Sequence, residues 1–139
     1  MNPPLRSELD RKALQYQRLA GGVLCLHEED PTLSGRGVMH EGAVSARLGL
    51  AGIPSVSEST LIARDAALAG YEDGRIHIQH LSARESVEAV AAAKARGVRI
   101  TAEASPHHLT LTDQALLDEL DTRLKICLLY TSPSPRDRS

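Results

Sequence analysis

The 139-residue sequence contains no tryptophan and no phenylalanine, and its three tyrosines bring the aromatic share to 2%. A core without large rings has to be assembled from Ala, Leu, Val and Ile. Cysteine is as scarce. Cys25 and Cys127 form no metal-type spacing, so neither a disulfide framework nor a cysteine-built metal site is expected. Cys25 lies in the apolar run Val23–Leu26 and reads as a reduced core thiol. No apolar run approaches the roughly 20 residues a membrane span needs. The opening "MNPPLRSELDRK" lacks the charged-then-apolar layout of a signal peptide, so a cytoplasmic location is the expectation. An excess of one charge is missing too. Sixteen Lys and Arg stand against 18 Asp and Glu, a formal net charge of -2, which gives no reason to expect nucleic acid or a membrane surface as partner.

The residues that are present, 42% hydrophobic and 24% charged, describe a soluble globular sequence of about one domain's length. Leu9, Ala13, Tyr16, Leu19 and Ala20 recur at helical spacing from Glu8, and Gly21-Gly22 stops that helix. Val23–Leu26 suits a buried strand. Residues 31–56 are rich in Gly and Pro and read as a long loop with one short helix, Glu41–Leu48, a length that is usually functional. Ser57 is placed to cap a helix that carries Leu61, Ile62 and Leu68 and ends at Gly70. "GRIHIQHLSA" follows as a strand. "ARESVEAVAAAKARG" is a helix with Val87, Val90 and Ala91 on one face. "VRITAEA" reads as a strand, "SPHHLTL" as a loop, and "TDQALLDEL" as a helix opened by Thr112. Helices and strands in alternation give an α/β fold with a parallel sheet covered by helices. The final "CLLYTSPSPRDRS" has no periodicity, and residues 127–139 read as a disordered tail that resembles translated adapter sequence rather than gene.

In parallel α/β folds the working residues gather where strands end. His27 ends the first strand, in "GVLCLHEED", and His80 ends the second. Side chains alternate along a strand, so Val23, Cys25 and His27 share one face and Ile76, Ile78 and His80 another, with His77 pointing away from His80. His27 and His80, on strands that can be neighbours, are therefore the pair able to share a metal, and imidazole suits zinc, nickel or iron. Glu29 and Asp30, behind His27, are candidates to fix its tautomer from outside the metal shell. Glu103, near the end of the third strand, reads as a buried carboxylate bonded to a neighbour and as a further candidate of that kind. Strand-end histidines also occur as hydrogen-bonded core residues, and spacing leaves both readings open. His40, His107 and His108 each read as structural or exposed.

"LHEEDPTLSGRGVMHEGAVSARLGLAGIPSVSEST", continued through Leu61 by "IARDAALA", resembles the dihydroorotase family in its longer bacterial type. "HIQHLSARES" and "TAEASPHHLTLTD" are similar to that family's next two motifs, in the same order. Pro106-His107-His108 favours it over hydantoinases, which tend to have Pro-Gln-Tyr there, and allantoinases, which have Pro-His-Tyr. The resemblance spans Lys12 to Lys125. It implies an amidohydrolase, a metal-dependent hydrolase on a (β/α)8 barrel. Residues 12–126 would then supply about three central βα units of the roughly 250 residues a whole barrel takes.

By the same resemblance His27 and His80 are metal ligands, and the parent protein holds two ions, usually zinc, which make a nucleophile of water near neutral pH. The implied reaction opens the ring amide of dihydroorotate to N-carbamoyl-L-aspartate, run in the cell toward ring closure in pyrimidine (UMP) synthesis. The family's first-strand His-x-His, its bridging carboxylate or modified lysine, and its proton-moving Asp have no counterpart here. They are expected before residue 12 and after residue 126, so no catalytic residue is assigned. Three parallel strands cannot close a barrel, and the chain alone is expected to be inactive and prone to aggregate. "MNPPLRSELDRKAL" resembles a motif that the family places after "LDTRLK", so residues 1–11 are either misjoined or alike by chance. Alternatives to dihydroorotase are an allantoinase or hydantoinase, or an inactive dihydroorotase-like partner of aspartate transcarbamoylase. The ligands kept at His27 and His80 argue against the last. Association with that enzyme or with a second copy is the only partnership expected beyond the small-molecule substrate.

Overall fold

A computed structural model describes residues 6–118 and Leu124. Along the chain run α1 (Arg6–Ala20), β1 (Leu24–Leu26), α2 (Pro31–Ser34), β2 (Met39–His40), α3 (Ala43–Leu48), β3 (Gly52–Ile53), α4 (Val56–Tyr71), β4 (Arg75–Ile78), α5 (Arg84–Ala95), β5 (Arg99–Ala102), α6 (Pro106–Thr110) and α7 (Ala115–Asp118). The expected α/β order with parallel strands is present. β1, β4 and β5 form one parallel sheet in that spatial order. Leu26 stands opposite Ile78, and Ile78 opposite Ala102.

Strand alternation divides this sheet. Leu26, Ile76, Ile78 and Ile100 point to one face, where Ile62, Ala66 and Ala69 of α4 and Val90 and Ala93 of α5 bury them. Small alanines at the helix side of that contact let the helices approach closely, which is how a core without Phe or Trp is filled. Cys25, His77 and Thr101 stand in register on the other face, which no described helix covers. Cys25 is exposed there and is not the core thiol its apolar neighbours suggested. Only one face of the strand is packed, and Cys25 is out of phase with it.

The inward stripes of two helices also differ from expectation. Among the described side chains of α1 only Leu14 is fully buried, at 1% exposure, against 51% for Leu9, 73% for Tyr16 and 85% for Leu19. The stripe facing the protein is polar because its partner is polar. Arg11 and Gln15 bind the Glu72 carboxylate at 2.6 and 3.1 Å, and Asp10 binds Arg64 of α4 at 2.6 Å. Leu14 packs over Gly74, where an added Cβ would come within 2.6 Å of the leucine side chain. In α5 the buried positions are Ser86, Val90 and Ala93, spaced i, i+4, i+7, whereas Val87 and Ala91 face outward.

The N-cap position of α4 is Ser55, while Ser57 is buried inside the first turn. The helix continues past Gly70 to Tyr71. The segment 31–56 is more than a loop with one helix. β2 and β3 pair in parallel, Met39 with Gly52 and His40 with Ile53. Gly52 permits this, since a Cβ there would lie 2.4 Å from the Glu41 Cα. "SPHHLTL" contains α6, capped by the Ser105 hydroxyl. Residues 1–5, Cys127 and the segment 127–139 lie outside the described residues.

Candidate metal centre

His27 directly follows β1, and its side chain should follow Cys25 onto the uncovered face. His80 lies two residues beyond β4 and, by the same alternation, should follow Ile78 toward the helices. It does not. The backbone at His80 is left-handed, φ 37°, one of two such non-glycine residues among those described. This turn takes the imidazole out of the strand's series, and His80 Nε2 comes to 2.9 Å from His27 Nδ1. The rings meet edge to face, 4.7 Å between centroids at 64°. A left-handed non-glycine residue costs about 1–2 kcal/mol and persists only where its surroundings hold it. Here the flanking residues are tied down. The Gln79 N–H donates to Leu26 O at 3.0 Å, and the Leu81 N–H donates to Glu103 O at 2.7 Å.

The other ring nitrogen of His27, Nε2, lies 3.7 Å from Glu29 Oε2, outside hydrogen-bond range. Asp30 is used differently. Its Oδ1 accepts from the Thr32 N–H at 2.8 Å and the Thr32 hydroxyl at 2.6 Å, as the N-cap of α2. Glu103 is exposed rather than buried, and its carboxylate lies 3.4 Å from His77 Nε2. His77 also bonds the Thr101 hydroxyl at 2.8 Å, so His77, Thr101 and Glu103 form a group of their own on the uncovered face. His108 is bound to Ser105. His40 is half-buried, and desolvation pushes its pKa below the usual histidine value against the opposing charges of Asp113, Glu85 and Glu41.

Two buried acids lie near the centre, Glu28 among the three acids that follow His27 and Glu58 on α4, and only Glu58 was not singled out by sequence reasoning. Glu28 is 3% exposed. Hydrogen bonding to Asp65 is the main cause that raises the Arg64 pKa, and the Glu28 charge adds to that shift. Glu58, also 3% exposed, accepts from the Ser82 and Ala83 N–H groups and the Ser86 hydroxyl. Burial raises its pKa, opposed by those same hydrogen bonds. The signal was present. Glu58, Leu61, Ile62, Asp65 and Ala69 recur at helical spacing, and a charge on an apolar stripe is informative.

Two imidazole nitrogens converging from adjacent strand ends suit a divalent metal. Zinc–nitrogen bonds of about 2.0–2.1 Å in tetrahedral geometry would place the two nitrogens about 3.3 Å apart, against 2.9 Å in the observed pair. The set is partial. Among the described residues no group of three or more His, Cys, Asp or Glu could hold an ion.

Residues 7–116 match the family model described as Dihydro-orotase-like. The chain belongs to that family. Over 124 residues it is 51% identical to a dihydroorotase of Pelotomaculum thermopropionicum, an alignment covering 89% of this chain and 29% of that protein. It is 46% identical to a dihydroorotase of Desulfotalea psychrophila, covering 90% and 30%. The chain thus spans less than a third of the length of these dihydro-orotase-like relatives. A solved D-hydantoinase superimposes with a TM-score of 0.65 at 27% identity over 84% of this chain and 26% of that one. The L-hydantoinase (dihydropyrimidinase) of Arthrobacter aurescens reaches 0.66 at 20% identity, over 84% and 26%, and shares the fold.

Proposed function

We propose that these residues are one part of a longer dihydroorotase, a metal-dependent cyclic amide hydrolase that interconverts dihydroorotate and N-carbamoyl-L-aspartate in pyrimidine synthesis. The observation that carries the reading is the convergence of His27 Nδ1 and His80 Nε2 at 2.9 Å in a chain of the dihydro-orotase-like family. Residues 12–126 supply about three central βα units of a (β/α)8 barrel, with β1 leading to α4, β4 to α5, and β5 opening the third. The uncovered sheet face is then the barrel interior, and the strand ends carrying His27 and His80 are its catalytic rim. Residues 1–11 and 127–139 are left out of that assignment.

His27 and His80 hold zinc in this reading, within a site of two ions completed by residues elsewhere in the protein. A bound divalent ion supplies Lewis acidity at the ring carbonyl and lowers the pKa of water toward neutrality. The chain's own contribution is placement. Glu29, beside the outer nitrogen of His27, is assigned the role of orienting that ring, and the left-handed turn at His80 brings the second nitrogen to it. Proton transfer and substrate-carboxylate binding are assigned to no residue here. Among the described residues no helix is long and apolar enough to cross a membrane, in keeping with the cytoplasmic setting that pyrimidine synthesis implies.

The test uses the longer protein that contains these residues, assayed with dihydroorotate and with hydantoin. Turnover of dihydroorotate, lost together with bound metal on His80→Ala, is the expected result. Unchanged metal content and full activity in that variant would overturn the assignment, and preference for hydantoin would move it to the neighbouring amidase class.

A further inference from the structure

We propose that Glu58 is a positioning residue of the metal centre, which locks the segment behind His80 and so keeps that imidazole against His27. The metal half of this inference rests on the reading of His80 as a ligand; the positioning half does not.

Glu58 sits in the first turn of α4, on a different element from either histidine. Its Oε1 accepts from the Ser82 N–H at 3.1 Å, and its Oε2 accepts from the Ala83 N–H at 2.9 Å and from the Ser86 hydroxyl at 2.5 Å. The two backbone donors follow His80 by two and three residues. The third belongs to the first turn of α5. Ala83 occupies the N-cap position of α5 without a side-chain cap bond, because alanine has no acceptor to offer. A helix start leaves its first N–H groups unsatisfied. Glu58 accepts from the N-cap N–H of Ala83 across the gap between two helices; a capping box would serve that group locally with a Glu or Gln at the third helical position, where this chain has Ser86.

The locked segment is buried. Ser82, Ala83 and Ser86 are exposed by 7%, 1% and 0%, so water cannot replace the carboxylate when it is removed. The left-handed backbone at His80 lies between two anchors, the strand bonds of Gln79 and Leu81 before and beside it and the Glu58 bonds after it. Releasing the second anchor lets residues 80–83 relax toward an ordinary extended path, which turns the His80 side chain back toward the helix face. A carboxylate is required because every partner is a donor. Glutamine has nearly the same shape but presents an NH2 group to one set of those donors.

The experiment compares the longer protein that contains these residues with its Glu58→Gln, Glu58→Asp and Glu72→Gln variants, the last a control that breaks only the α1 contact. Two measurements are made on each: the nuclear Overhauser contact between the His27 and His80 rings without metal, and the affinity for cobalt(II). Glu58→Gln is expected to lose the ring contact and to weaken cobalt binding about 10- to 100-fold, the range for groups that orient ligands. Glu58→Asp keeps the charge and should recover part of both, and Glu72→Gln should change neither. Should Glu58→Gln unfold the chain, Ser86→Ala removes one donor and is read the same way, with a smaller loss. Retention of the ring contact and of affinity within about twofold in Glu58→Gln or Ser86→Ala overturns the proposal, as does absence of the contact in the wild type. Wild-type rings in contact with no cobalt bound would instead sink the metal reading and leave the positioning role standing.

Discussion

The two faces of the β1–β4–β5 sheet are built from alternate residues of the same three strands. Ile76, Ile78 and Ile100 on one face are closed over by α4 and α5. Cys25, His77 and Thr101 on the other are hydrogen-bonding or titratable groups with no described helix above them. The covered face is organised by volume. Its residues are interchangeable aliphatics, and its helices supply alanines where the backbones approach. The uncovered face is organised by chemistry, with His77 tied to Thr101 and Glu103 and, at the rim, His27 set against His80. His80 is the residue that crosses between them: the strand pattern assigns it to the covered face and the left-handed turn delivers it to the other.

If the rim histidines are ligands, replacing one has the largest effect of any single change. His80→Ala in the longer protein should remove bound metal and lower ring hydrolysis by orders of magnitude, read by metal analysis and dihydroorotate turnover; wild-type values for both would break the comparison at its most important point. Next in size is the covered face. Ile78→Ala should cost about 2–5 kcal/mol in denaturant unfolding, and Thr101→Ala on the opposite face under about 1 kcal/mol. Equal costs would mean that the faces do not differ in packing.

A smaller effect comes from groups away from both faces. The His40 pKa is lowered by burial, so its contribution is full above the unfolded value near 6.5 and is lost as the pH falls through the depressed folded value. The Glu72 pKa is lowered chiefly by its hydrogen bond from Arg11, so its contribution is present above the unfolded value near 4.5 and is lost as the pH falls further. His40→Gln should flatten the upper part of the acid limb of stability, and Glu72→Gln the lower part. Superimposable pH–stability curves for wild type and both variants would contradict these assignments. The smallest change is expected at His77. His77→Gln should leave metal content intact, and loss of stoichiometric metal would show that the strand face is inverted. Cys25, studied with Cys127 replaced by Ser, should react with a thiol reagent without prior unfolding; protection until the chain unfolds would restore it to the core.

The element order could be read from the sequence because its signals are local. Gly21-Gly22 and Gly97 end helices, and short aliphatic runs between helical repeats mark parallel strands. The pairing of His27 with His80 was legible for the same reason, since strand ends and neighbouring strands follow from that order. What escaped depends on contacts between distant segments. Which side of β1 is packed cannot be seen in "VLCL", where every residue is apolar, and Cys25 was placed on the wrong side. The polar stripe of α1 makes sense only beside Glu72 and Arg64. The turn at His80 is followed by a segment held by Glu58, more than twenty residues earlier, and no repeat in the "HIQHLS" stretch announces it.

X-ray absorption at the zinc edge of the longer protein, comparing wild type with His27→Ala and His80→Ala, decides whether the two histidines are ligands. Each substitution is expected to remove one imidazole from the average coordination shell or to empty the site. Identical spectra and metal content in all three proteins would show that the pair at the sheet rim is a hydrogen-bonded couple and not a ligand set.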